Sequence, residues 1–373
     1  MRRTLTTVAL LATTALVAGP ACATSDVRGH FDVPQPGFAA PDTTLREGTP
    51  EEAGLTAGPI DSALHDIATW ADGVPGREHP MYGGAVSLLV HDGIVVDHTA
   101  VGHELRYADA QGTELPADQQ EEMQPDTIFD VASITKLFTS IAVLQQVEDG
   151  RLQLDEPVAR YLPEFGVNGK QSITVEQLLT HTSGLQAEVQ LWKVPPERRI
   201  PTVMELTPEN PPGSSYTYSD PNMITLGVLI ERVTRDSLDN VITERITEPL
   251  GMSDTGYNPP AHKLDRIAAT EYQADPHRGM LRGQVHDENA WSLGGVAGQA
   301  GIFSTAEDLA VLGQALLNGG IYDGERVLAE SSVESMLTNY NDEFPGHAHG
   351  LGFELDQRWY MAGLSAPRSA GHT

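Results

Sequence analysis

A serine and a lysine three residues apart, at the mouth of a long apolar run, constrain this chain more than any other feature. Ser133-Ile134-Thr135-Lys136 opens a segment that continues through Leu137, Phe138, Ile141, Ala142, Leu144 and Val147. Those positions recur at the three-and-four spacing of one helical face, which predicts a buried amphipathic helix ending near Gly150. Residues three apart on a helix stand about 5–6 Å apart at Cβ, so the Ser133 hydroxyl and the Lys136 amine can touch. Both fall in the first turn, where free backbone N–H groups and the positive end of the helix dipole favour negative charge. A serine hydroxyl is a poor nucleophile until its proton is taken. A lysine takes it only where burial or a neighbouring cation brings its pKa toward roughly 7–8. The chain holds four lysines, Lys136, Lys170, Lys193 and Lys263, and only Lys136 completes a Ser-x-x-Lys. The spacing alone also fits a capping serine with a solvated lysine one turn on. It needs partners.

The rest of the chain sets the frame. At 373 residues it can bury a large core, as one big domain or two intertwined ones. A net charge of −29 argues against binding nucleic acid through phosphate neutralisation or binding an anionic membrane surface. Residues 1–23 read as an export signal: Arg2 and Arg3 precede an apolar stretch from Val8 to Ala18, and Ala21-Cys22-Ala23 is a small-residue cleavage site. That stretch is too short for a bilayer-spanning helix, which needs ~20 residues. The protein is therefore expected to be extracytoplasmic, without a transmembrane span. Cys22 is the only cysteine, so a chain cut after Ala23 carries neither thiol nor disulfide. The rival reading makes Cys22 a lipidated N-terminus.

Residues 24–54, rich in Pro, Gly and Asp, are expected to be a mobile or surface-bound leader. Pro59 to Trp70 carries one apolar face and predicts a helix. Gly84 to Val90 and Gly93 to Val101 are β-branched runs joined at His91-Asp92-Gly93, a strong hairpin signal. Tyr107 to Gln124 is polar and predicts a loop. Residues 151–345 read as a mostly helical subdomain: a Thr174-capped helix to Thr180, apolar periodicity over Met223–Arg232 and Leu238–Ile246, and Ala306–Leu317 after Ser304-Thr305. Gly350 to Leu355 and Trp359 to Leu364 read as extended, returning to the sheet, so residues 55–150 and 346–373 are expected to form the α/β sheet portion.

Two further stretches carry chemistry. Tyr218-Ser219-Asp220 follows the turn Pro211-Pro212-Gly213-Ser214-Ser215-Tyr216-Thr217, which can hold a phenol rigidly against a cleft. A tyrosine there can shuttle a proton if a nearby cation lowers its pKa. The other is the terminal Gly371-His372-Thr373. His347-x-His349 in a Gly/Pro loop is expected to face solvent. No His-Glu-x-x-His motif occurs, so neither metal nor other cofactor is expected.

Together these motifs resemble the serine β-lactamase and penicillin-binding-protein superfamily, in its class C-like esterase and D-alanyl-D-alanine carboxypeptidase branch. Ser133 and Lys136 match the family's Ser-x-x-Lys. Tyr218, Ser219 and Asp220 match its Tyr-x-Asn, and His372 and Thr373 its His/Lys-Thr/Ser-Gly, with the glycine absent. Supporting stretches are residues 178–185, Gly294-Gly295-Val296-Ala297-Gly298 and residues 301–309. His286-Asp287-Glu288-Asn289 resembles a stretch of the carboxypeptidase-like branch, which would set His286 along the cleft. The resemblance spans residues 50 to 373. It implies an α+β, β-lactamase/transpeptidase-like fold, an antiparallel sheet flanked by helices plus a mostly helical subdomain. It also implies a mechanism: Ser133 attacks a carbonyl, Lys136 is its base, Tyr218 relays the proton, and the Ser133 N–H is one oxyanion donor. The substrate class is an ester or amide, or a peptidoglycan peptide ending in D-Ala-D-Ala; a non-catalytic sensor of peptidoglycan or β-lactams is the reading from another class. Two positions depart from the pattern. Asp220 cannot donate through an amide and should raise the pKa of Lys136. The relatives also continue past the His-Thr-Gly strand into further strands and a helix. The expectation is therefore a fragment with those elements missing, the hairpin's apolar edge exposed, and the chain as written inactive or unstable.

Overall fold

A computed structural model describes residues 37–361 and 365–373. The expected export signal and Cys22 lie outside the described residues. The first elements are β1 (Arg46–Glu47), α1 (Ala57–Asp72), β2 (Gly84–His91), β3 (Ile94–Leu105), β4 (Glu121–Glu122), β5 (Phe129–Asp130) and α2 (Thr135–Glu148). The hairpin lies where its sequence puts it. Asp92 and Gly93 both take positive φ, 51° and 76°, as a two-residue turn matching the strands' twist requires. From there β2 and β3 pair antiparallel, with one register shift at Leu89/Val90. The leader is surface-bound where it is described: β1 pairs in parallel with β3, Arg46 opposite Ile94. The expected 107–124 loop ends in a strand, because β4 pairs with β3.

The helical body is built on α2. Its face is not amphipathic as the apolar spacing suggested: every residue from Thr135 through Gln146 is buried. A helix buried all round must satisfy its own polar groups. Thr139 Oγ1 donates to the Gly298 carbonyl at 2.8 Å and Ser140 Oγ to the Lys136 carbonyl at 2.8 Å. Gln145 Nε2 reaches the carbonyls of Arg245 and Val327. Phe138, Ile141 and Leu144 form one core with Met223, Leu226 and Ile230 of a later helix.

The elements that follow are α3 (Val175–Leu179), α4 (Arg199–Met204), α5 (Asp220–Thr234), α6 (Leu238–Ile242), β6 (Gly256–Tyr257), β7 (Tyr272–Gln273), β8 (Gly279–Met280), α7 (Glu288–Ser292), β9 (Ile302–Ser304) and α8 (Ala306–Leu317). Local capping chemistry fixes several starts. Thr174 and Gln177 make a reciprocal capping box on α3, and Thr305 Oγ1 accepts from the Asp308 N–H at the head of α8. The expected 238–246 helix holds only to Ile242, then widens into a π turn over Thr243–Thr247. A three-stranded antiparallel sheet, β5-β9-β6, ties the approach to α2 to the helical body: Asp130 pairs with Phe303, and Phe303 with Gly256.

The C-terminal stretch departs from expectation. Glu354–Leu355 is extended, but it pairs with Ala370–Gly371 as a separate ribbon instead of joining the hairpin sheet. Arg358–Met361 is a helical turn, not a strand. Its neighbours explain this: Met361 N donates to the Gln357 carbonyl, and Gln357 Nε2 is held by the carbonyls of Ala348 and Leu355. Among the described residues β2 pairs only with β3, and no residue of β2 is fully buried.

Candidate active site

Ser133 does not start α2. It sits in a short 3₁₀ turn, Ala132–Ile134, immediately before it. Ala132 takes φ 48°, a left-handed conformation that costs a residue with a Cβ on the order of 1–3 kcal/mol unless its surroundings impose it. Asp130 imposes it: its Oδ1 accepts the Ala132 N–H at 2.9 Å. Val131 N donates to the Ile302 carbonyl, and Thr135 Oγ1 accepts from the Ile302 N–H, so β9 holds the turn on both sides.

One helical turn on, Lys136 is 1% exposed. Its Nζ lies 2.7 Å from Ser133 Oγ, 3.0 Å from the Gln299 carbonyl and 2.9 Å from Asp220 Oδ1. An ammonium has three N–H donors and no acceptor, and all three of these oxygens face it as acceptors. Burial pushes Lys136 down, but the Asp220 carboxylate and Tyr218 more than offset this and hold it above the usual lysine value. That is the direction a carboxylate at position 220 is expected to give. The Tyr218 ring lies with its centroid 4.8 Å from Nζ. Burial raises the Tyr218 phenol, opposed by the charge of Lys136 and by hydrogen bonds to Lys136 and Ser133.

Tyr218 and Asp220 reach this point from the loop that ends at α5. Asp220 opens the helix, where the dipole favours a carboxylate. The loop is pinned from behind by His181, whose Nδ1 accepts the Ser219 N–H at 3.1 Å and whose carbonyl accepts the Thr217 N–H. The His181 ring lies 4.7 Å from that of Tyr218. Burial holds His181 well below the ordinary histidine value, so it stays neutral beside the Lys136 cation. Asn222, fully buried on the first turn of α5, accepts from Ser183 Oγ at 2.7 Å and ties the same stretch to the helix.

The remaining expected residues fall into two groups. The His372 ring lies 6.0 Å from that of Tyr218, and burial followed by the nearby Lys136 pushes it down to about 4. Thr373 is exposed at the end of the chain. His286 is bonded not to the Ser133–Lys136 pair but to Asp130, its Nδ1 2.9 Å from Oδ2. That hydrogen bond raises the His286 pKa, against burial. Of the His347-x-His349 pair, expected in solvent, His347 is exposed as expected and stacks on Tyr216, whereas His349 is buried with Nδ1 2.6 Å from the Gly350 carbonyl. Among the described residues no group of three or more His, Cys, Asp or Glu is placed to hold a metal ion, and no helix is long and apolar enough to cross a membrane.

Sequence reasoning did not single out Asp130, His181, Asp287 or Gln299. Asp287 is mostly buried; its Oδ1 accepts from Ala290 N–H at 2.6 Å and from Gln299 Nε2 at 3.1 Å. Burial raises its carboxyl, the Asp220 charge adds to this, and Lys136 opposes it. Asp130 lies three residues before Ser133, and the others lie within or beside stretches noted for other reasons, at 178–185, 286–289 and 294–298.

The chain is 30% identical over 368 residues to a protein of Escherichia coli (strain K12) described as "Putative D-alanyl-D-alanine carboxypeptidase", covering 90% of this chain and 82% of that one. Among solved structures it is similar to a penicillin-binding protein homolog from Caulobacter crescentus, with TM-score 0.62, 24% identity and 84% and 85% of the two chains covered. It is also similar to the octameric penicillin-binding protein homologue from Pyrococcus abyssi, with TM-score 0.59 and 23% identity, where 80% of this chain spans 65% of that one. At these identities the two structures speak for the fold, which is the β-lactamase/transpeptidase-like α+β architecture. The Beta-lactamase family pattern matches residues 42–373, and this chain belongs to that family of serine hydrolases.

Proposed function

We propose that this chain is an exported serine hydrolase that forms an acyl-enzyme on Ser133 and releases it to water. The observation that carries the reading is the buried Lys136 Nζ, 2.7 Å from Ser133 Oγ and 2.9 Å from Asp220. The resting lysine is an ammonium with no lone pair. The reactive state is the one in which the cluster of Lys136, Asp220 and Tyr218 has lost one proton; the cluster titrates as a unit. Ser133 then passes its proton to Nζ as Oγ attacks the carbonyl carbon. Tyr218 delivers a proton to the leaving oxygen or nitrogen, and the Ser133 backbone N–H donates to the developing oxyanion. The His372 ring, a neutral imidazole, lies 6.0 Å from that of Tyr218. Turnover therefore rises with pH.

Simple esters are the leading substrates, because a good leaving group asks little of a proton donor and Asp220 offers a substrate no amide N–H. A second reading, a D-alanyl-D-alanine carboxypeptidase acting on peptidoglycan, is supported by the description of the Escherichia coli relative. Export is supported by the charged and apolar segments at the N-terminus. The test offers the purified chain p-nitrophenyl esters, a peptide ending in D-Ala-D-Ala and a fluorescent penicillin. Ester turnover that falls on the order of 10⁶-fold in Ser133→Ala is expected. D-alanine release exceeding ester turnover selects the second reading. Penicillin acylation with no turnover of either substrate, or turnover surviving in Ser133→Ala, overturns the proposal.

A further inference from the structure

We infer that the adjacent residues His286 and Asp287 form a positioning brace that sets the Ser133–Lys136 pair from two sides, through Asp130 and through Gln299. The inference rests on the reading of Ser133 as the nucleophile. Its first arm runs to the serine. The Asp130 side chain is wholly buried; its Oδ2 accepts both the backbone N–H of His286, at 2.7 Å, and the ring Nδ1–H, at 2.9 Å. The other carboxylate oxygen, Oδ1, holds the N–H of left-handed Ala132, the residue before Ser133. Moving the carboxylate moves the nucleophile's turn.

The second arm runs to the lysine. Asp287 Oδ1 accepts from Gln299 Nε2 at 3.1 Å, and the main-chain carbonyl of Gln299 accepts from Lys136 Nζ at 3.0 Å. Gln299 is wholly buried, and its Oε1 has no partner among the described residues. Its side chain is thus located by the one bond to Asp287. The brace itself is held from behind: Arg278 donates to the carbonyls of Val285, at 2.6 Å, and His286, at 3.0 Å. Ser133 and Lys136 hang on different supports, a strand-to-helix turn and the segment at residue 299, and one dipeptide fixes both. Neither His286 nor Asp287 has a hydrogen bond to Ser133 or Lys136, so their effect passes through Asp130 and Gln299.

Proton transfer and attack are steep in geometry; displacement of about 1 Å costs up to ~10²-fold in rate. The test measures ester kcat and KM, and the rate of fluorophosphonate labelling, in His286→Ala, His286→Asn, Asp287→Ala and Asp287→Asn. Asparagine at 286 keeps a donor near the place of Nδ1, and at 287 it keeps an acceptor oxygen. Both alanine variants are expected to lose about 10- to 100-fold in kcat and in labelling rate, with KM within about twofold, and the asparagine variants to recover most of the loss. Wild-type kcat in the alanine variants overturns the brace. So does a loss that appears in KM, or one that asparagine does not rescue. Because each variant is scored against the wild-type labelling rate, these outcomes are separate from a wild-type chain that does not label at all, which overturns the reading of Ser133 instead.

Discussion

Helix α2 and strand β2 both carry runs of apolar side chains, yet they bury them to opposite degrees. Phe138, Ile141 and Ala142 of α2 have no exposure at all, whereas β2 is half-exposed throughout and its Leu89 is 39% exposed. The reacting groups sit on the buried side of this division. Lys136 is held by residues at 220 and 299, and the turn that carries Ser133 is held by Ile302 through Val131 and Thr135. The contrast teaches that the site is held by the helical body, while the hairpin sheet is a separate layer whose β2 strand stays half-exposed.

The sharpest way to break that contrast is to cut into each layer. Phe138→Ala removes a ring with no exposure and should cost about 3–5 kcal/mol in denaturant unfolding. A loss under 1 kcal/mol would mean that α2 is not the centre of the core. Acid should act on the same body. Burial pushes His349 down to about 4, against an ordinary value near 6.5. The folded form therefore refuses a proton that the unfolded chain accepts. His349 stabilises the fold fully above pH ~6.5, and this contribution falls by about 3 kcal/mol as the pH drops to ~4. His349→Gln should flatten the stability profile over that window; an unchanged slope would contradict the burial.

A smaller effect sharpens the electrostatics of the site. Asp220→Asn removes a charge that raises Lys136, so the rising limb of the ester pH–rate profile should move to lower pH. A limb moving upward would show that the carboxylate is not what keeps Lys136 charged. At the weak end, Leu89→Ala on the hairpin should stay within ~0.5 kcal/mol of the parent in the same unfolding assay.

What was legible in the sequence follows this division too. The Ser133–Lys136 contact, the Asp92-Gly93 hairpin and the caps at Thr174 and Thr305 are set by residues within four positions of one another, and the structure has them where local rules put them. The role of Asp220 against Lys136 followed from charge alone. Asp130, Asp287 and Gln299 were not singled out because their meaning lies in partners far along the chain: Asp130 meets His286, and Gln299 meets Lys136. The same non-locality governs residues 350–361. An extended-looking segment does not say which strand it pairs with, and here 354–355 pairs with 370–371. His349, polar and in a Gly/Pro loop, looked solvated, yet it packs edge-on against His181, 5.2 Å away and 168 residues earlier in the chain.

The account stands on a proton leaving Ser133 for a site built around Lys136, so that the oxygen becomes acylated. Peptide mapping after treatment with a fluorophosphonate tests this directly. One adduct per chain on Ser133, formed faster as the pH rises and absent in Ser133→Ala, is the predicted result. An adduct that persists in Ser133→Ala, or no adduct on a folded chain at any pH, would contradict it.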